Sequence, residues 1–443
     1  MRSSRYLARA NVSLAQSERR RRVMRRSVAL GHCVCDPKQP CPCPTFRTEE
    51  ICECAGERLP PKSGPVRLTE MVRGTGCSAK IGKTDLLAAL SGLPDIDDAR
   101  VVVGRSAGDD AGVIMLSDRE ATVMTVDVLA PPVDDPFTFG QIAAANSLSD
   151  IYAMGATPQC ALSIIGFPAH AQPIAIMREI LRGGFEKMKE AGISVLGGHS
   201  TDDDEIKFGF AVLGTAKPGG FLTNAGARVG DVAVLTKPLG TGIVSFAAQC
   251  GQDQDGGIAE ITRSMTQLNQ LSGARMQAHG AHAATDITGF GLLPHVFEVA
   301  RSSQVEIEID FDSIPLFSSV MDLAARDVLP GAVERNRESL AEDRLDLAAL
   351  GPAEQAILFG PETSGGLVVF LPEAGAGPFL AELRRGGFAH AAVIGRATSR
   401  CVEGRIRVTK ADARTVVPPT KPSLRLAAKG SPCCCKAGGD DST

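Results

Sequence analysis

Gly74-Thr75-Gly76-Cys77-Ser78-Ala79-Lys80 sets a cysteine between two glycines and a lysine, just after a short apolar-polar run from Val66 to Met71. Glycines leave backbone N–H groups free to approach an anion. Lys80 adds a point charge suited to a phosphate. Cys77, beside that charge, is a candidate thiolate nucleophile; the competing reading is an ordinary glycine turn with a packed cysteine. The acidic motifs that follow decide between the two readings, and they set the fold class.

Downstream, Lys83 to Leu90 reads as a short helix and Val101 to Val103 as a buried strand. Gly108-Asp109-Asp110-Ala111-Gly112 runs two acids into a strand, and the next strand, Ala121 to Val126, ends in Asp127. Asp135-Pro136 is a helix start, an N-cap acid followed by proline at the first helical position. That helix is expected to reach about Met154 and stop at Gly155. Asn146 and Asp150 stand four apart on it and share one face, beside an apolar face that includes Ile142, Ala145, Leu148 and Ile151. A single Asn/Asp pair of this kind is ordinarily solvated. Taken together, however, Asp109, Asp110, Asp127 and Asp150 offer hard carboxylate oxygens without His or Cys, a set suited to Mg²⁺ carrying substrate phosphates.

A second glycine turn is expected at Gly197-Gly198-His199-Ser200, able to lay N–H groups against phosphate or ribose; His199 alone would be a structural histidine. Phe208 to Ala216 reads as the strand closing a first unit, and Lys217 to Gly230 as a Pro/Gly-rich hinge. A second unit opens with the strand Asp231 to Thr236. It contains Thr285-Asp286-Ile287-Thr288-Gly289-Phe290-Gly291, an acid in a Gly-rich turn before a helix. It also holds Pro361-Glu362-Thr363-Ser364-Gly365-Gly366, a turn into the strand Leu367 to Leu371. Strands interleaved with helices predict an α/β (α+β) protein.

The 443 residues suffice for two domains, each burying its own core. Hydrophobic residues at 44% and charged residues at 22% are ordinary for a globular chain. With no Trp, two Tyr and a net charge of −4, neither aromatic stacking on bases nor a basic field points to nucleic acid. No apolar run is long enough to cross a bilayer, and the start lacks the apolar core of a secretory signal. The expected location is therefore cytoplasmic, with no nucleic-acid or membrane partner. Residues 1–30 carry nine Arg against one acid, Glu18, and read as a disordered arm.

The 13 cysteines are clustered. Six lie between Cys33 and Cys54 as the pairs Cys33/Cys35, Cys41/Cys43 and Cys52/Cys54, and three are consecutive at Cys433, Cys434 and Cys435. The globular middle is Cys-poor, which excludes a disulfide-stapled scaffold and points to metal or redox chemistry at the ends. With Pro between them, the pairs are not expected to form regular structure. They suit a soft metal such as zinc, or an iron–sulfur cluster. Residues 55–65 read as a linker by composition. The resulting division is 1–30 arm, 31–65 Cys-rich segment and linker, 66–222 first domain, 223–410 second domain and 411–443 tail.

As an ordered set, these motifs resemble selenophosphate synthetase (selenide, water dikinase), whose parent fold is that of aminoimidazole ribonucleotide synthetase. The resemblance runs from about Val66 to Val408. It implies an N-terminal α/β domain whose sheet forms a barrel in a homodimer and a C-terminal α/β domain closing over ATP. It also implies the reaction of ATP, selenide and water to selenophosphate, AMP and phosphate, supplying selenium for selenocysteine or selenouridine. By the same resemblance Cys77 and Lys80 are catalytic. Asp110, Asp150 and Asp286 are Mg²⁺ ligands. Lys80, Asp127, Asp150, Gly197, Gly198 and His199 contact ATP. Three phosphates and a selenide anion need exactly such neutralising charge before attack, so the resemblance agrees with the residue reading. The chain departs from the family at Ala79, where many members carry a second cysteine.

Cys41-Pro42-Cys43, eight residues, then Cys52-x-Cys54 resembles the ferredoxin:thioredoxin reductase catalytic subunit. That implies a cluster on Cys33, Cys41, Cys43 and Cys52 with Cys35 and Cys54 as a redox pair. The gap of five residues between Cys35 and Cys41 is much shorter than in that family. A selenium or electron donor protein would be a partner. Two alternatives stand beside the dikinase: a same-superfamily enzyme using sulfide or another acceptor, and a redox or metal protein centred on the Cys-rich ends.

Overall fold

The computed structural model describes residues 14–31, 33, 40–52, 55, 67–94, 96–253 and 256–410. Cys35, Cys54 and Cys433 to Cys435 lie outside them. Residues expected as an irregular arm form helix α1 (Leu14–Leu30). The run has no Gly or Pro and is rich in Leu, Ala, Gln, Glu, Arg and Met, all good helix formers. The Cys-rich segment also holds regular structure, the short helix α2 (Pro44–Glu49), with Pro44 in its first turn where a missing N–H costs nothing. Val23 and Met24 of α1 pack against Phe46, Cys52 and Ala55. Arg20 donates to the Glu50 carbonyl at 2.8 Å and lies 5.5 Å from the Phe46 ring centre.

Helix α3 (Lys83–Leu90) precedes the first sheet. Its strands are β1 (Val101–Val103), β2 (Gly112–Ser117), β3 (Glu120–Leu129), β4 (Thr157–Phe167), β5 (Ser194–Asp202) and β6 (Lys207–Ala216). The order is β1-β2-β3-β6-β4-β5, antiparallel except for β4 beside β5. Three local expectations change here. Val101 and Val102 are exposed at 43% and 52%, because β1 is an edge strand paired only with β2. Asp127 lies inside its strand, since pairing with β6 continues to Leu129 opposite Phe208. Gly197 and Gly198 lie in β5 and form no turn: β4 supplies a long parallel template, and a side chain at 198 would meet the Ser163 carbonyl at 2.1 Å.

Helix α4 (Pro136–Ala153) lies across one face of this sheet and α5 (Ile174–Glu190) packs on α4. Asp135 caps α4 by accepting from the Thr138 amide at 2.8 Å. A Cβ at Gly140 would stand 2.0 Å from the Ile180 carbonyl, so glycine sets the close approach of the two helices. Phe139, Ile142, Leu148 and Ile151 of α4 are fully buried; each contributes roughly 1.5–3 kcal/mol by leaving water. Burial nearly all round marks α4 as a core helix, and its far side meets the second half of the chain.

That half contains α6 (Thr241–Gln249), α7 (Gly257–Met265), α8 (Gln270–Met276) and α9 (Leu292–Ser303). Its strands are β7 (Asp231–Leu235), β8 (Ala283–Asp286), β9 (Val305–Asp310), β10 (Leu345–Asp346), β11 (Leu367–Pro372), β12 (Ala392–Arg400) and β13 (Arg405–Thr409). They form one sheet in the order β10-β13-β9-β12-β7-β11-β8, parallel at β10/β13 and β13/β9 and antiparallel elsewhere. The edge strand β8 ends in Asp286 and packs against α4, which brings the second half's acid to the first half's helix. Among the described residues no helix is long and apolar enough to cross a membrane.

Candidate active site

The Gly74–Lys80 loop closes over the junction between α4 and β8. The Gly76 amide donates to the Ala130 carbonyl at 3.1 Å, and a single 3₁₀ turn, Cys77–Ala79, follows. Gly76 has φ +51°, and a Cβ there would sit 2.1 Å from Thr363 Oγ1, so only glycine lets the loop seat. The Cys77 amide donates to Thr363 Oγ1 at 3.0 Å, its thiol lies 3.5 Å from Asn146 Oδ1, and Arg335 donates to the Ser78 carbonyl at 2.9 Å. Cys77 is 1% exposed. Burial pushes its thiol up to about 12, an effect Lys80 opposes and Asp127 reinforces, so here it is a neutral thiol and not the expected thiolate.

Lys80 Nζ is 2.8 Å from Asp127 Oδ1. Burial alone would lower the ammonium's pKa, but the Asp127 carboxylate outweighs it and holds Lys80 charged. Asn146 ties the pieces together. Its amide nitrogen donates to Asp127 Oδ2 and its oxygen accepts from the Ser364 amide at 2.9 Å. Asn146 is fully buried and is a central polar residue of the site, which a solvated face pair would not be. Thr363 and Ser364 are the further additions that sequence reading passed over. The Thr-Ser-Gly-Gly turn was visible, but its contact with Cys77 spans 286 residues of chain.

The acids divide. Asp109 accepts from the Asn224 amide at 2.5 Å and pins the hinge. Asp110 turns inward, where Thr285 donates to Oδ1 at 2.8 Å while Oδ2 is buried without a partner. Asp150 accepts from Thr125 at 2.5 Å. Asp286, 1% exposed, likewise has a buried, unpartnered Oδ2. Burial and mutual repulsion raise Asp110 and Asp150 well above the carboxylate range, and burial raises Asp286 to about 6. Asp110, Asp286 and His295 place one ligand atom each within 4.8 Å of one another. His295 was not anticipated. Its signal was a histidine in the first turn after the Gly-rich Asp286 loop, and burial drives its pKa down to about 3. Two neighbouring buried acids, each with an orphaned carboxylate oxygen, fit a divalent cation, the ordinary partner that buried acids need.

A cavity of about 670 Å³ opens beside the loop, lined among others by Lys80, Arg73, Arg335, Lys207, Asp203 and Glu205. Gly197, Gly198 and His199 lie apart from this cluster. They sit on the exposed edge strand β5, which pairs with β4, and make no hydrogen bond to Lys80 or the acids among the described residues. Among the described residues Cys33, Cys41, Cys43 and Cys52 do not gather three sulfurs around a single-ion position.

Two family models match the chain: AIR synthase related protein, N-terminal domain, over residues 108–216, and the C-terminal domain of the same family over residues 228–407. A protein named "Selenide, water dikinase" from Clostridium botulinum (strain Eklund 17B / Type B) is 42% identical over 321 residues, spanning 72% of this chain and 93% of its own length. Another of that name from Geobacter metallireducens is 44% identical over 327 residues, 73% and 95% of the two chains. Among solved structures, a thiamine-monophosphate kinase from Stenotrophomonas maltophilia K279a superposes with a TM-score of 0.50 at 21% identity, covering 74% of this chain and 96% of its own. Hydrogenase maturation protein HypE superposes with a TM-score of 0.53 at 20% identity, covering 66% and 85%. These structural likenesses establish the two-domain fold.

Proposed function

Because the chain belongs to the selenide, water dikinase family and so makes selenophosphate, AMP and phosphate from ATP, selenide and water, we propose that the reaction runs where Cys77, Lys80 and the acids Asp110, Asp150 and Asp286 meet. The observation that carries this reading is the pair of buried, unpartnered carboxylate oxygens on Asp110 and Asp286, one from each half of the chain, beneath the loop that bears Cys77 and Lys80. Magnesium held by Asp110, Asp150 and Asp286 supplies the positive charge that the acids and the polyphosphate both require.

The chain's own groups do the positioning. Asp127 and Asn146 aim Lys80 at the phosphates, and Lys80 neutralises charge that develops on the transferred group. The Cys77 thiol stands beside that group as a non-covalent contact for selenide; buried and polarisable, it matches a soft substrate better than water does. Asp127 and Asp150 serve the ATP site through Lys80 and the cation. Gly197, Gly198 and His199 would contact nucleotide only from the exposed edge of β5, a role that nucleotide crosslinking can check.

A homodimer is supported by the outer face of the first sheet. Met124, Val126 and Leu162 stand 53%, 60% and 47% exposed opposite the helices, an apolar face of the kind a second copy covers. For the N-terminal cysteines Cys33, Cys41, Cys43 and Cys52 an iron–sulfur cluster and a zinc ion both stand as proposals, each suited to thiolate ligands. The terminal clusters then supply the thiol that Ala79 lacks or deliver selenium, and removal of residues 1–60 without effect on selenide-dependent turnover would refute this.

Phosphorus NMR of the full-length protein with ATP, Mg²⁺ and anaerobic selenide tests the reading, with sulfide in parallel. A selenium-coupled phosphorus signal accompanied by AMP is the expected result. Product formed only with sulfide would mean that the acceptor is wrong.

A further inference from the structure

Lys237 has no task in the reading above, yet it touches the turn on which the site depends. It stands two residues beyond β7, is 2% exposed, and forms no ion pair among the described residues. Instead its Nζ donates to the Gln267 carbonyl at 2.7 Å and to the Ser364 carbonyl at 3.0 Å. Burial pushes the group down to about 7; the ammonium and the neutral amine both keep the N–H groups that two carbonyls need. Ser364 is itself unusual. Its φ is +49°, a left-handed conformation in which a residue with a Cβ persists only when its surroundings hold it. The other non-glycine residues at positive φ among the described residues, Glu50, Gln304 and Asp327, follow helix ends, where this conformation is common. Ser364 lies at no helix end, and its buried hydroxyl has no hydrogen-bond partner, so its own side chain does not hold it there.

Resting on the reading of Cys77 and Lys80 as the reacting loop, we propose that Lys237 is a positioning residue for the reaction: it staples Ser364 in its left-handed conformation and, through that turn, sets Cys77 and Lys80. Two bonds fix the two peptide planes that flank Ser364. Its amide donates to Asn146 Oδ1 at 2.9 Å, and its carbonyl accepts from Lys237. Together they hold both φ and ψ of a residue that would otherwise leave this region. The consequences reach the loop by two routes. Asn146, oriented by the Ser364 amide, donates to Asp127, which stands 2.8 Å from Lys80 Nζ. Thr363, the residue before, accepts from the Cys77 amide at 3.0 Å. Without Lys237 the Ser364 carbonyl is free to turn, φ returns to the negative range, and both routes lose their anchor. Such a shift slows a reaction without removing any group that touches substrate, because near-attack geometry is sensitive to displacements of about 1 Å.

The test compares the full-length protein with Lys237→Met, a side chain of similar length without an N–H, and with that variant carrying Ser364→Gly or Ser364→Ala in addition. Glycine takes a positive φ at no steric cost and alanine does not; neither change breaks a bond of the unpartnered hydroxyl. Lys237→Met should lower kcat roughly tenfold or more while KM for ATP changes less than about threefold. Alkylation of Cys77 by iodoacetamide should quicken about tenfold as the loop opens more often. Glycine at 364 should recover most of both, and alanine neither. Unchanged kcat and alkylation in Lys237→Met would overturn the proposal, as would a glycine that recovers no more than alanine. Alkylation that follows this pattern while kcat does not would leave the staple standing and overturn instead the reading of Cys77 as part of the reacting loop. Should Lys237→Met alone fail to fold, thermal melts read the same pair: a folded protein with glycine but not with alanine supports the staple, and any other result overturns it.

Discussion

Replacing Asp286 by asparagine should make the metal-free protein more stable and catalytically dead. Asp286 is 1% exposed, and burial, with Asp127 adding to it, lifts its carboxyl from 3.8 to about 6. The folded state therefore keeps a proton that the unfolded state releases near 3.8. The associated stability is complete below about pH 4 and is lost as pH rises through 6. Two pH units correspond to about 3 kcal/mol. Asp110 and Asp150 are raised in the same direction, so the wild-type protein in EDTA should lose stability steadily from pH 4 to pH 8. Asp286→Asn keeps an oxygen to accept from Ser149 and carries no charge. At pH 8 it should exceed the wild type by up to about 3 kcal/mol, several degrees in Tm, and the two should converge near pH 4. Mg²⁺ should close the gap at pH 8 by binding the wild type alone. Thermal melts followed by circular dichroism across this range, with EDTA and with Mg²⁺, measure all of this. Wild-type stability that rises from pH 4 to 8 in EDTA, or a variant less stable than wild type at pH 8, would refute the reasoning.

Thr363→Val removes the acceptor of the Cys77 amide at 3.0 Å and should lower kcat/KM roughly tenfold, about 1.4 kcal/mol, with Thr363→Ser restoring most of it in steady-state assays. Gly76→Ala puts a Cβ 2.1 Å from Thr363 Oγ1 at a φ of +51°; turnover should collapse while the circular dichroism spectrum stays that of the wild type. With its thiol pushed up to about 12, Cys77 should react with iodoacetamide at pH 8 about a thousandfold more slowly than an exposed cysteine, as peptide mass mapping against Cys250 would reveal. Met124→Asp on the exposed outer face of the first sheet should yield monomers in sedimentation velocity, whereas an unchanged sedimentation coefficient would count against pairing through that sheet.

Much of the chain was legible in one dimension because its signals are local. Asp135-Pro136 starts α4 through a cap and a preset φ, and Gly155 follows the helix end, so neither boundary depends on distant residues. Lys83 to Leu90 and the strand beginning at Asp231 were likewise set by their own patterns. The ordered motifs from Gly74 to Gly366 identified the family, because seven short signals in one order outweigh the ambiguity of each. Tertiary structure decided what had no local signal. Gly197-Gly198 has the composition of a turn, yet a long neighbouring strand recruits it into the sheet. Asn146 and Asp150 share a helix face with apolar residues, and only the arrival of the second half of the chain turns that face into a sealed polar site. Whether Cys77 is thiolate or thiol depends on desolvation, a property of packing that no spacing encodes. The meeting of Asp110, Asp286 and His295 joins residues 176 positions apart with a turn that folds back on its own strand, a contact that only folding creates.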